Sequence, residues 1–98
     1  MSPTNKKKLN LLRIKLDKLD TGLLRLIKKR SNLVNDVLKV KIHKKEIIDQ
    51  KRISFILRKI KKKSIQLKID PKITDRIWKN MIWSFIDYEK KNFRIKKK

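Results

Sequence analysis

From Leu9 to Val40 the chain steps by alternating threes and fours through Leu9, Leu12, Leu16, Leu19, Leu23, Leu26, Arg30, Leu33, Val37 and Val40. That period belongs to a helix with one apolar seam. It predicts a first helix from about Asn5 to Val40, roughly 50 Å long at about 1.5 Å per residue. Such a helix is too long for a compact monomer of 98 residues, so part of it should pack against another subunit. Gly22 lies inside it at a cost of about 1 kcal/mol relative to Ala, which the rest of the pattern overrides. Arg30 is the one seam position that is not apolar. A guanidinium on a buried seam needs an anion to meet it.

A polar connection follows from Ile42 to Ile48. Asp49 then suits the N-cap or first turn of a second helix with the stripe Ile53, Phe55, Ile56, Ile60 and Leu67. Ile69-Asp70-Pro71 breaks the pattern, and Asp70 as N-cap with Pro71 at the first helical position starts a third helix. Its stripe is Ile73, Ile77, Trp78, Met81, Ile82, Phe85, Ile86 and Phe93. Internal repeats and linkers are lacking. The prediction is one all-α domain over residues 1–98, three helices per chain, with basic tails at about 1–8 and 94–98.

Composition adds limits. One Gly and two Pro favour few, long helices. With no cysteine, disulfides and thiolate metal sites are excluded. No apolar run approaches the roughly 18 residues of a membrane span. The Lys-rich start lacks the apolar stretch of a secretory signal, and the expectation is a cytoplasmic protein. The net charge of +22 invites a nucleic-acid reading. However, 24 Lys stand against 7 Arg, with 15 Ile and no Ala. That bias reads as an AT-rich coding background, with Lys6–Lys8 and Lys96–Lys98 as solvated, mobile ends.

Several charges fall on or beside the apolar stripes. Lys41 follows Arg30 by eleven residues, about 20° of rotation and roughly 16 Å of rise on one helix, so the two share a face. Taken alone, Lys41 also reads as an exposed lysine near a helix end. Arg13 precedes Arg30 by seventeen residues, about 25 Å, and reaches the same small ligand only from an antiparallel second chain. Otherwise it is a surface arginine. Arg52 has Asp49 three residues before it, which allows a local ion pair. Glu89 continues the stripe Trp78, Ile82, Phe85, and is either paired inside or set at the mouth of a pocket. His43, the one histidine, falls in the polar connection and reads as solvated. Trp78 and Trp83 read as core aromatics rather than base-stacking platforms. No Ser/His/Asp set, metal-ligand cluster or Gly-rich phosphate loop is present in the sequence.

Taken together, Arg13 with Leu16, Asp17, Leu19 and Asp20, then Leu23-Leu24, Arg30, Lys41, Arg52 and a closing block from Ile77-Trp78 to Glu89 resemble the all-helical chorismate mutase family, over roughly residues 9 to 93. The resemblance implies an intertwined helical homodimer of three-helix chains with two shared sites and no cofactor or metal. It implies that Arg30 and Arg13 of the other chain hold two substrate carboxylates. Lys41 would sit at the ether oxygen, with Glu89 at the second position facing it. Arg52 and the segment at Asp49 would border the ring end.

Two positions depart from the common pattern. Ile53 stands where most family mutases carry Glu. The related isochorismate pyruvate-lyases have an apolar residue there. Glu89 stands where many bacterial members and the lyases carry Gln, as it does in fungal mutases. The implied reaction, chorismate to prephenate in aromatic amino-acid biosynthesis, is pericyclic. It asks for a dianion held in a reactive conformation and positive charge at the breaking C–O bond. Arginines suit the carboxylates and a lysine the ether oxygen. A lyase on the same scaffold is the second reading. A basic helical nucleic-acid-binding protein is the third, disfavoured because Arg30 lies within the seam instead of on an exposed cationic face. Any nucleic-acid binding is expected to be non-specific.

Overall fold

The computed structural model describes residues 2–94. It is helical, with no strand among the described residues. The element order is α1 (Pro3–Val40), a 3-10 turn (Lys44–Ile47), α2 (Gln50–Gln66) and α3 (Pro71–Asn92). Three helices with a long first one were predicted. Lys96–Lys98 lie outside the described residues. Lys6–Lys8 form early turns of α1 and are exposed. Ser2 Oγ, one residue before α1, accepts from the Asn5 N–H at 3.1 Å, which satisfies one of the donors that a helix start leaves open.

The chain divides into two units, residues 1–33 and 34–98. The first is α1 alone over most of its length, and its seam is uncovered. Leu12, Leu16, Leu19, Leu23, Leu26 and Leu33 are 54–66% exposed. Leu9 and Arg30 are half-buried.

The second unit carries the core. Leu38 from the end of α1, Ile47 from the 3-10 turn, and Ile82 and Ile86 from α3 are buried together. Ile48, Ile53, Ile56, Leu57, Trp78 and Phe93 pack against them. Burying a side chain of this size stabilises by about 1.5–3 kcal/mol. Ile47 corrects the sequence reading. The connection is polar in composition, but Ile47 is only 4% exposed, so it anchors the turn in the core. Conversely, Phe55 and Leu67 of the α2 stripe, and Ile73 and Ile77 of the α3 stripe, lie outside. A stripe wider than the contact leaves its flanks in solvent. Trp78 packs as expected, whereas Trp83 is exposed.

Both predicted caps are formed. Asp49 Oδ1 accepts from the Arg52 N–H and Asp70 Oδ1 from the Lys72 N–H, each at 3.0 Å. A hydroxyl pair also ties α2 to α3. Ser64 and Thr74 are buried, with their oxygens 2.6 Å apart, and Ser64 also donates to the Ile60 carbonyl. No buried side-chain nitrogen or oxygen among the described residues lacks a partner.

The end of α2 stores strain. Ile69 N–H bonds to the Ser64 carbonyl at 2.8 Å and Lys68 N–H to that of Ile65 at 3.1 Å. This is a Schellman closure, which needs a left-handed residue. Lys68 fills that place with φ 59°. A side chain there costs about 1–2 kcal/mol that glycine avoids. Lys68→Gly is therefore expected to stabilise by about 1 kcal/mol and raise Tm by several degrees at fixed protein concentration. An unchanged or lower Tm in thermal denaturation would contradict this.

Candidate functional site

The second unit contains four of the predicted site residues. Lys41 is the first residue past α1, as the predicted end at Val40 places it. Its N–H still bonds to the Leu38 carbonyl at 3.3 Å, a tightened i→i−3 closure. The helical face that carries Arg30 therefore ends at Val40. Neither glycine nor proline stops α1 there. Tertiary contacts hold the chain's new direction: Ile47 enters the core, and the Lys41 side chain turns to α3.

There it meets Glu89. Lys41 Nζ lies 3.3 Å from both Glu89 carboxylate oxygens. The side chains are 17% and 8% exposed, so the pair is largely withdrawn from water. Glu89 is one helical turn beyond Phe85 and Ile86, on the inner face of α3, as its place in the stripe predicted. An ion pair in such surroundings interacts more strongly than on the surface, but neither charge tolerates loss of the other.

Lys41 also lines an open recess with Glu46, Ile48, Asp49, Gln50 and Lys51. Lys41 thus joins the recess at the start of α2, which Asp49 also lines, to Glu89 on α3, which is not one of the recess residues. Arg52 is close in the chain but differently engaged. The Asp49 carboxylate accepts from its main-chain N–H, while its guanidinium lies 5.4 Å from the Phe55 ring centroid. The side-chain ion pair considered for Asp49 and Arg52 is replaced by a cap and a cation–π contact. His43 is exposed, and its N–H bonds to Glu46 Oε1 at 3.4 Å.

Arg13 and Arg30 belong to the first unit. Arg13 is exposed on α1 and Arg30 half-buried.

Two interactions escaped the sequence reading. Tyr88 donates to Asn35 Oδ1 at 2.8 Å, tying α3 to the last turns of α1 next to Glu89. Polar residues at helix-face flanks gave no signal for it. The Ser64–Thr74 pair did leave one, since each hydroxyl continues an apolar stripe.

Among the described residues no group of three or more His, Cys, Asp or Glu is placed to hold a metal ion. No described helix is long and apolar enough to cross a membrane. A family model described as chorismate mutase type II matches residues 12–90. No curated protein and no solved structure matches the chain.

Proposed function

The chain belongs to the chorismate mutase type II family, a family of isomerases, and from that premise we propose that it rearranges chorismate to prephenate. The observation that carries this reading furthest is the Lys41–Glu89 pair, a lysine ammonium held in a mostly dry position at the edge of a recess.

The rearrangement breaks an ether C–O bond while a C–C bond forms, within one molecule. It needs no nucleophile. The catalyst must hold the dianion in its compact conformer and meet the negative charge that builds on the ether oxygen. Lys41 carries a fixed positive charge with three donors, so it serves the ether oxygen while keeping contact with Glu89. Glu89 holds the ammonium in place through both carboxylate oxygens. Substrate entering the recess displaces the remaining water, which strengthens the interaction. Arg30 and Arg13 of a second copy take the two carboxylates by bidentate contacts. Asp49 and Arg52 border the ring end.

The shared site requires a homodimer, and the seam of α1 supports one. Leucines more than half exposed at heptad spacing are stable in water only when another surface covers them.

Ile53 favours a second reading. It is half-buried and packed against the core, so it offers the substrate hydroxyl no polar partner. An isochorismate pyruvate-lyase on this scaffold would tolerate that. Incubating the purified protein with chorismate and separately with isochorismate, and following prephenate and pyruvate, decides between them. Prephenate from chorismate is the expected result. Pyruvate from isochorismate without prephenate would transfer the assignment to the lyase, and neither product would reject both.

A further inference from the structure

The positive charge of this chain is unevenly placed. Eleven cations stand against three acids in the 38 residues of α1, and five against three in the 22 of α3. In the 17 residues of α2, seven cations meet no acid at all. A coding bias enriches lysine without regard to which helix receives it. What sets α2 apart is that its seven cations, undiluted by acids, give it the highest net charge per residue of the three helices.

The α2 cations also share a surface. Lys51, Arg58, Lys59 and Lys62 fall within about 100° of arc, with Lys61 and Lys63 on the flanks. All are exposed. In the middle of this arc stands Phe55, 47% exposed. Arg52 lies 5.4 Å and Lys59 5.9 Å from its ring centroid. Arg58 and Lys61 further line a recess at the α2–α3 junction with Lys72 and Asp75, whose carboxylate is engaged by Lys79 at 2.9 Å.

We propose that the outer face of α2 binds single-stranded nucleic acid, with its cations along the phosphates and a base stacked on Phe55. An exposed aromatic ring set among cations is the minimal form of a stacking platform within an electrostatic track. A lipid surface fits less well. A membrane-surface helix inserts its apolar face, but that face of α2, Ile53, Ile56 and Leu57, is already packed on the core. A second copy seated with its α2 on this α2 is disfavoured, because like charges would meet.

The test compares two variants of equal net charge. One carries Arg58, Lys59, Lys61, Lys62 and Lys63→Gln on α2. The other carries Lys6, Lys7, Lys8, Lys15 and Lys18→Gln on α1. Binding of a fluorescent 20-nucleotide oligouridylate is followed by anisotropy from low to moderate salt. The α2 variant should lose affinity by about a hundredfold at low salt and flatten the salt dependence by about three in log–log slope; the α1 variant should lose less than about fivefold. Phe55→Leu, which keeps the charge, should weaken the single strand by about tenfold and leave a duplex of the same length unaffected.

Equal losses from the two charge variants would mean that net charge alone binds, and would overturn the proposal. So would an unaffected Phe55→Leu protein, or phosphatidylserine vesicles that displace the oligomer. Should the fivefold α2 variant lose its helical CD signal, Phe55→Leu and the double variant Arg58→Gln/Lys59→Gln decide the matter.

Discussion

Lys41→Ala is expected to lower turnover by two to three orders of magnitude. Removing one preorganised donor from a developing oxyanion costs about 3–4 kcal/mol in comparable sites. Two effects must be separated, because the same substitution strands Glu89. Its side chain is 8% exposed, and without the ammonium it loses the charge that faces both its oxygens at 3.3 Å. A destabilisation of about 2–4 kcal/mol should accompany the loss of activity. The double variant Lys41→Ala/Glu89→Gln removes the stranded charge. It should recover most of the stability in denaturant unfolding and none of the turnover. Near-normal turnover in Lys41→Ala would remove the lysine from the reaction. Recovery of turnover together with stability would reduce the pair to a structural tie.

The sequence carried the helices because each had local punctuation. Asp49 and Asp70 cap through their own side chains, and Pro71 sets the start of α3 whatever packs around it. Glu89 was legible for a similar reason, since helical period alone puts it on the face of Ile82 and Phe85. The end of α1 at Val40 was legible from the seam, which stops there, although no local punctuation marks it. Val40-Lys41-Ile42 contains no helix breaker, and what turns the chain there is tertiary: Ile47 in the core and Lys41 on Glu89. Period and propensity give the extent of the seam but not the reason the chain turns after Val40. The stripes of α2 and α3 were over-read at their flanks for a related reason. Period reveals which residues share a side, but only the neighbouring helix decides how much of that side is covered. Thus Ile56 is half-buried and Phe55, one residue before it, projects into solvent. Charge was the least legible quantity. The total of +22 is a property of composition, whereas the face of α2 on which its cations stand exposed follows from the packing of Ile53, Ile56 and Leu57 on the core.

Mixing two inactive variants is expected to restore activity. α1 is helical without interruption from Pro3 to Val40, so Arg13 and Arg30 are separated by about 25 Å along its axis. No single small dianion spans that distance, and a site that uses both arginines draws them from two chains. Arg13→Ala and Arg30→Ala should each lose a bidentate, charge-assisted contact, roughly 3 kcal/mol or a factor of about 10² in kcat/KM. In a heterodimer of the two, one site receives the intact Arg30 of one chain and the intact Arg13 of the other. The second site carries both lesions. After statistical exchange half of the dimers are mixed and each holds one good site, so activity should return to about a quarter of the wild-type value per chain. Exchange is verified by native mass spectrometry on chains of distinct mass, and activity is read before and after mixing. In a dimer closed along the exposed leucines of α1, exchange is expected to need partial unfolding, because that seam would hold the copies together and complete their fold. Recovery to that level would establish both the dimer and the sharing of its sites. Verified heterodimers with no recovered activity would place the two arginines in separate roles, and a chain that stays monomeric at assay concentration would remove the second copy from the mechanism altogether.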